Sequence, residues 1–464
     1  MQNNKVLNAV IFWFSQKRWL IIAVIVGALF YLMPTPEGLT PEGHHILVIV
    51  VIAIFLIIFE PIPLPAIAFI VLILEVLFSI ASPNEAAKSF FSDAVFFIMG
   101  SLMLAVAIVS QGLDKRLALG IIRLTGNKTW KIVFGFIGIS ALLSSFIGEH
   151  TVTAMMLPVG LTLLRYTNAN PKQLKRLTPL LLFSIAYGSA MGSIGTPSGG
   201  GRNVIMLDYW REFGIANITY LKWMAYAYPM LLIEIPLATA ILWFTFRPKH
   251  KLMDTAIRKL KLEVAHSGRI TGREISAIFI FILVFLGWVF LSPIVGLGVV
   301  ALIGVVFYLM FGLIHWDDLN RNTNWGVILL FGAAISMGLQ MKDTGAALWI
   351  AENAISQLEK ITPNIDILRW FISVFLTGIL TNLLSNAATV AVIGPIVLNM
   401  GGDPIIIGFS TAIASAFAYL TVVASPTCMI IHSSGLVKSK DYLKAGWKMF
   451  LMSATVLFFM SQIW

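Results

Sequence analysis

Apolar runs recur along the whole 464-residue chain, near 19–33, 45–59, 62–80, 91–112, 178–194, 225–246, 276–292, 294–314, 325–341, 404–424 and 445–462. A helix needs about 20 residues to cross the hydrocarbon core of a bilayer, so each run reads as a membrane crossing. Two further runs, near 132–164 and 368–400, are interrupted in the middle and read as re-entrant hairpins. Only 12% of the residues are charged and 58% are hydrophobic, against about 25% charged in a soluble domain. The chain lacks the polar surface to stay dissolved. It is expected to be an all-α polytopic membrane protein with about eleven transmembrane helices plus two re-entrant hairpins. A soluble enzyme, a secreted disulfide scaffold and a disordered tail protein are excluded. A single cysteine, Cys428, leaves no internal disulfide and no cysteine-based metal cluster.

The formal net charge is +10. In a soluble protein that would point to nucleic acid. In a polytopic one it follows from the collection of Lys and Arg on cytoplasmic loops. With the N-terminus inside, the inside loops gather most of the 32 basic residues, in the dense stretches Lys115–Lys131, Arg165–Arg176, Arg247–Arg273 and Lys438–Lys448. Lys88, Arg202, Arg211, Lys222, Lys342, Lys360 and Arg369 fall elsewhere. The first apolar run starts at Trp19, lacks a small-residue cleavage site and is followed by another span, so no cleaved leader is expected. A multi-pass protein of a bacterial inner membrane, N-terminus cytoplasmic, is the simplest reading.

The chain also repeats itself. Phe96 to Leu113 matches Val327 to Gly345, with Gly100 on Gly332. Leu142 to Val159 matches Ile379 to Ile396, with Pro158 on Pro395, and Ala186 to Gly200 echoes Ala412 to Cys428, with Pro197 near Pro426. Three blocks in one order at nearly constant spacing indicate a duplication. An odd number of crossings separates the halves, so the repeats are inverted in the membrane, which is the architecture of secondary transporters with a midplane site. The expected organisation is N-terminal scaffold helices over 1–90, a first repeat with a hairpin and an unwound helix over 91–246, a basic cytoplasmic linker over 247–273, and a second half of scaffold helices plus the second repeat over 274–464.

Backbone in hydrocarbon must satisfy its own hydrogen bonds, so breaks in spans are tolerated only around a cavity. Four breaks stand out: Gly148-Glu149-His150-Thr151, Gly195-Thr196-Pro197-Ser198-Gly199-Gly200-Gly201, Ser385-Asn386-Ala387 and Ala424-Ser425-Pro426-Thr427. Small residues allow close backbone approach, and proline forces a helix end. Each helix start beyond a break offers free N–H groups and partial positive charge to an anion. The freed carbonyls, with Ser, Thr and Asn oxygens, suit a hard cation such as sodium.

These residues resemble the divalent anion/sodium symporter family, which carries dicarboxylates, citrate or sulfate. AMMLPVG after the first tip, ATVAVIGPIV after the second, GTPSGGGRN and ASPTC are similar to that family's hairpin and unwound-loop segments. The resemblance covers most of the chain. It implies a homodimer of protomers, each with a scaffold and a moving transport domain, working by elevator-type alternating access, with sodium as coupling ion and no other cofactor. The family's Ser-Asn-Thr tip signature survives as Ser385 and Asn386, with Ala387 for Thr; the first tip departs to Gly148-Glu149-His150. The resemblance implies one sodium site at Ser144, Glu149 and the Gly195 backbone, and another at Thr381, Leu384, Asn386 and Ala424. Substrate contacts are implied at Glu149, His150, Thr151, Thr196, Ser385, Asn386, Ser425, Pro426 and Thr427.

An ionisable group inside a span is a functional hypothesis by default. An ionised Glu149 would repel a dianionic substrate, which leaves three resolutions. It ligates sodium, it carries a proton, or it pairs with Arg202 or His150. Arg202 follows the glycine run and can reach a substrate carboxylate bidentately; equally, it caps a helix or meets headgroups. His150 titrates near neutrality. Glu60, Glu75 and Glu234 read as interfacial or interhelical hydrogen-bonding residues, His44 and His45 as interfacial, and the Trp residues as belt anchors. Cys428 reads as a small packing residue that doubles as a labelling site.

An enzyme is disfavoured: the seven histidines form no HExxH or other compact metal spacing, and there is no GxSxG and no P-loop. A channel is disfavoured by the absence of a repeated filter motif. The expected function is secondary active transport of a small anion, first of all sodium-coupled dicarboxylate uptake. A sodium-independent or proton-coupled anion exchanger, or a sulfate or citrate carrier, stands as the alternative. Nucleic acid is not an expected partner.

Overall fold

The structure is a computed structural model. It describes residues 18–112, 126–167, 170–248, 253–254, 257–258, 270–358, 365–422 and 424–464. Most of the basic linker lies outside them, including the stretch AIRKLKLEV apart from Ile257 and Arg258, as do Lys5, Lys17, Lys115, Arg116 and Arg123.

All the elements that organise the described residues are helices. The first half runs α1 (Arg18–Leu32), α2 (Pro41–Phe59), α3 (Leu64–Leu77), α4 (Pro83–Phe90), α5 (Asp93–Ser110), α6 (Thr129–Ile147), α7 (Glu149–Tyr166), α8 (Pro171–Gly192), α9 (Gly201–Glu212) and α10 (Tyr220–Phe246). The second runs α11 (Gly272–Phe290), α12 (Leu297–Met310), α13 (Trp316–Asn322), α14 (Trp325–Asp343), α15 (Ala346–Leu358), α16 (Ile365–Phe371, continued by a π-helical turn Ile372–Leu376 and Thr377–Leu380), α17 (Asn386–Leu398), α18 (Pro404–Ala414), α19 (Pro426–Ser433) and α20 (Ser439–Ser461).

Helix starts follow local chemistry. Ser82 with Glu85, Asn170 with Gln173 and Thr271 with Glu274 form reciprocal caps, which satisfy donors that a helix start leaves free. Among the described residues, seven helical segments, α4 and α5 counting as one, are long and apolar enough to cross a membrane; α1, α3, α12, α17 and α18 are shorter apolar helices. The expected span near 178–194 is the second part of α8, which begins among Lys172, Lys175 and Arg176. The expected span near 404–424 is helical only to Ala414, and residues 415–422 form a non-helical loop.

The helices of the two halves follow in corresponding order from α2 and α11. α2 and α11 have 19 residues each, and α3 and α12 have 14 each. The three blocks read from the sequence are thus part of a longer repeat that begins at α2. The halves pack crosswise: α5 lies along α12 of the other half, and α14 lies along α3. Of the matched glycines, Gly100 sits at the first of these crossings and Gly332 where α14 meets α4. A Cβ on Gly100 would stand 2.5 Å from the Ala301 Cβ, and one on Gly332 would stand 2.5 Å from the Phe90 carbonyl oxygen. Small residues at such points let helices close in where lipid supplies no hydrophobic drive between them.

The outer surface is apolar, with Leu32, Leu77, Phe290, Ile294 and Met310 exposed, as a surface facing acyl chains requires. Serines, threonines and asparagines lie inside. Ser144, Ser145, Ser189, Ser193, Thr196, Asn203, Thr381 and Ser415 are all fully buried.

Candidate functional site

Two helical hairpins and two broken helices meet in the interior. In the first hairpin, α6 reverses into α7 at Gly148, whose φ of 83° is open to glycine at no steric cost. In the second, the chain turns between Leu380 and Asn386, and Ser385 caps α17 by accepting from the Ala388 N–H at 3.3 Å. α8 breaks at Gly192 and resumes as α9; α18 breaks at Ala414 and resumes as α19.

Each hairpin holds the exposed carbonyl end of its own broken helix. Ser144 donates to the Ser189 carbonyl at 2.6 Å and Ser145 to the Gly192 carbonyl at 2.8 Å. In the other half Thr381 donates to the Ser415 carbonyl at 2.6 Å and Asn382 to the Phe417 carbonyl at 3.1 Å. Ser144-Ser145 and Thr381-Asn382 stand at the same offset as Pro158 and Pro395, so these are equivalent bonds in the two repeats. The Ser189, Gly192 and Phe417 carbonyls also accept a backbone N–H, so these side chains add a second donor at each helix end. The loops beyond the breaks match as well. The Thr196 and Ser198 hydroxyls bond at 3.0 Å across Pro197, and those of Ser425 and Thr427 at 2.7 Å across Pro426. Thr196 also donates to the Ser145 carbonyl.

The repeat-equivalent residues Glu149 and Asn386, each the first residue of its hairpin's second helix, touch directly. Asn386 Nδ2 donates to Glu149 Oε1 at 3.0 Å. The same Thr381 hydroxyl that faces the Ser415 carbonyl also lies 2.9 Å from Asn386 Oδ1, so its one proton is shared between the two acceptors. The other Glu149 oxygen, Oε2, accepts from Ser193 at 2.9 Å and lies 3.7 Å from Arg202 Nη1. Arg202 Nη2 also donates to the Ser193 hydroxyl. Glu149 is 6% exposed and Arg202 2%. A buried carboxylate is thus fixed by a guanidinium, a hydroxyl and an amide, at a helix start that favours negative charge.

Of the three resolutions for Glu149, the geometry contains the pair with Arg202. His150 is half-buried beside Gly148 and, among the described residues, forms no side-chain hydrogen bond. Thr151 is half-buried, and Ser385 is exposed at the tip. Leu384 turns its side chain into an apolar cluster with Ile57 and Ile67, so only its backbone is free for a polar role. Gly195 sits against Ser145, whose hydroxyl a Cβ there would approach to 2.6 Å. Ala424, Ser425 and Thr427 are buried, and Pro426 is half-buried.

Sequence reasoning missed Ser193, Ser145 and Asn382. Ser145 and Asn382 were open to discovery through the repeat offset. Ser193 carried no such signal, because its importance comes from lying between Arg202 and Glu149. Asn203 is a capping residue: its Nδ2 donates to the Ser193 and Thr196 carbonyls, both at 2.8 Å. Glu75 behaves as expected, accepting from Ser336 across helices at 2.7 Å.

Cys428 is fully buried, with its thiol against the Ala418 carbonyl at 3.5 Å. We expect no labelling by a membrane-impermeant maleimide in this conformation, and stoichiometric labelling after denaturation. Rapid labelling of the folded protein would show that the second broken-helix loop opens to water.

The description "Sodium:sulfate symporter transmembrane region" matches residues 15–464. The sodium-dependent high-affinity dicarboxylate transporter 3 of Caenorhabditis elegans is 27% identical over 482 aligned residues, covering 92% of this chain and 83% of that protein. The sodium-dependent dicarboxylate transporter SdcS of Staphylococcus saprophyticus is 24% identical over 470 residues, covering 94% of this chain and 90% of that one. Among solved structures, MtrF of Neisseria gonorrhoeae, described with a class of antimetabolite efflux pumps, superposes with a TM-score of 0.53. It covers 97% of this chain and 94% of its own at 12% identity, a likeness of fold alone.

Proposed function

The chain belongs to the sodium:sulfate symporter family, and from that premise we propose that it is a sodium-coupled carrier of small dicarboxylates. One observation carries the reading: the two hairpin starts and the first broken helix converge, through Glu149, Asn386, Ser193 and Arg202, on one buried polar centre, and Thr381, bonded to both Asn386 and the Ser415 carbonyl, ties in the second. The names of the relatives, both sodium-dependent dicarboxylate transporters, supply the ion and the substrate class.

The first sodium is held by Ser144, Glu149 and the Gly195 backbone, and the second by Thr381, Asn386 and the backbones of Leu384 and Ala424. The donor set of hydroxyls, amide and carbonyls supports this, since such oxygens suit a hard monovalent cation. Substrate carboxylates are received by Arg202, by the N–H groups at the starts of α7, α9, α17 and α19, and by Thr196, Ser385, Ser425 and Thr427, with His150, Thr151 and Pro426 on the rim. Asn386, the equivalent of Glu149, is neutral, so the first site carries one extra negative charge. Arg202 offsets it, which lets an anion and its cations share the centre.

The scaffold is 1–90 with the early helices of 274–464; the moving part is the hairpins and broken helices of 91–246 and 274–464, linked by 247–273. We place the protein in a bacterial inner membrane with its N-terminus in the cytoplasm, as a homodimer working by elevator-type movement.

The test is uptake of labelled succinate by proteoliposomes, with and without an inward sodium gradient. Uptake that rises steeply with the gradient is the expected result. Equal uptake with potassium in place of sodium would leave a sodium-independent exchanger, and no uptake of succinate would remove C4-dicarboxylates as substrates.

A further inference from the structure

Glu234 lies in the middle of α10, is 1% exposed, and among the described residues neither of its carboxyl oxygens has a hydrogen-bond partner. Unlike Glu75, it faces no donor that closes a bond. α10 packs along α20, and the fully buried Ser453 of α20 stands beside the Glu234 carboxyl. Its hydroxyl has no partner in bonding geometry either. The third member is Tyr419, fully buried in the loop after α18, next to Ser453 and within electrostatic reach of Glu234. Its phenol oxygen is also without a partner. Four buried side-chain oxygens thus lie near one another with Ser453 between Glu234 and Tyr419, and no hydrogen bond of good geometry joins them. Buried polar groups are nearly always satisfied, and an unsatisfied group in hydrocarbon costs several kcal/mol.

No cation among the described residues forms an ion pair with the carboxyl. Among the described residues, the titratable groups on elements packed against α10 are engaged elsewhere. Lys448 of α20 bonds Thr245, Tyr442 bonds the Cys428 carbonyl, Tyr187 of α8 bonds the Tyr419 carbonyl, Lys131 of α6 lies over Trp130, and Arg273 of α11 bonds the Gly312 carbonyl. Lys172, Lys175 and Arg176 sit at the start of α8 and Lys440, Asp441 and Lys444 at the start of α20, away from mid-helix, while Glu274 caps α11 through Thr271. Arg202, on the loop side, is held by Glu149. An unpaired buried charge is so unfavourable that the group neutralises instead. A protonated carboxyl supplies one O–H donor and keeps acceptor capacity, which suits two hydroxyl neighbours reached directly or through one water.

We propose that Glu234, Ser453 and Tyr419 form a proton-binding site in the membrane interior, a second site beside the hairpin centre, and that this proton moves when the loop carrying Tyr419 moves. That loop also presents the Ser415 and Phe417 carbonyls to Thr381 and Asn382, so displacing the second hairpin alters what faces Glu234. Pro229 and Pro236 bracket Glu234 within α10; each removes a backbone donor and lets the helix bend there. The site stands on its own geometry, and only its link to substrate movement rests on the transport reading.

Two measurements on the full-length protein test it. Infrared difference spectra across a pH titration are expected to show a carboxylic-acid C=O band that Glu234→Gln removes and Ser453→Ala shifts. In sodium-energised proteoliposomes loaded with a pH dye, succinate is expected to drive proton movement in wild type and none in Glu234→Gln, with sodium-driven uptake kept. A band unchanged in Glu234→Gln, or proton movement unchanged in that variant, would overturn the proposal. If wild type takes up no succinate, the substrate reading fails and the infrared band alone decides the site.

Discussion

Arg202→Met is expected to destabilise the protein by about 3–5 kcal/mol, the cost of leaving a buried carboxylate without its partner, and to abolish uptake. Glu149 keeps Ser193 and Asn386 as donors, but neither carries charge. The double variant Glu149→Gln, Arg202→Met removes both charges at once and is expected to recover most of the stability, because a neutral pair of similar volume pays no desolvation cost. It should still fail to transport, since the anion loses its guanidinium and the first ion site its carboxylate. Equilibrium unfolding in mixed micelles, followed by tryptophan fluorescence, reads the first claim, and proteoliposome uptake the second. A double variant no more stable than Arg202→Met would mean that the pair is not the unit that matters here.

The second large effect belongs to Gly192. A Cβ there would stand 2.1 Å from the Ala141 carbonyl oxygen, 2.3 Å from its Cα and 2.4 Å from Ser144 Oγ. Two of those atoms are backbone and cannot rotate away, so α8 must separate from α6. Overpacking costs about 1–3 kcal/mol where side chains give way, and more where they cannot. Gly192→Ala is therefore expected to exceed that range and to lose sodium-driven uptake, because the Ser144 and Ser145 bonds to α8 are made at this contact. Gly138, on the same hairpin helix, has nothing within 4 Å of a built Cβ. Gly138→Ala should be neutral or stabilising by up to about 1 kcal/mol through helix propensity alone. Equal losses in both variants would show that the effect is one of helix composition rather than contact.

Much of this arrangement was legible in the residues themselves. The Gly148 break, the Pro197 and Pro426 loops and the Ser385-Asn386 tip all fall where the chain leaves helix. Each is a local event: a glycine, a proline or a cap decides the backbone within a few residues. The span count was less secure. Runs such as 404–424 mix a helix with a buried loop of equal apolarity, and hydropathy does not distinguish them. The roles of Glu149 were left open because its partners, Ser193, Arg202 and Asn386, stand 44, 53 and 237 positions away.

Membrane residence, the order of helices, their breaks and their duplication were determined by the sequence alone. Apolar length and backbone satisfaction act over about 20 residues at a time, so each segment declares itself without the others. The crosswise packing of α5 on α12 and α14 on α3, the meeting of Glu149 with its repeat partner Asn386, and the isolation of Glu234 were decided only in the tertiary structure. In lipid, one apolar helix face is as acceptable as another. Which helices meet, and which buried polar group is left without a partner, is settled by close fit at glycines and by polar partners that only the assembled halves bring together.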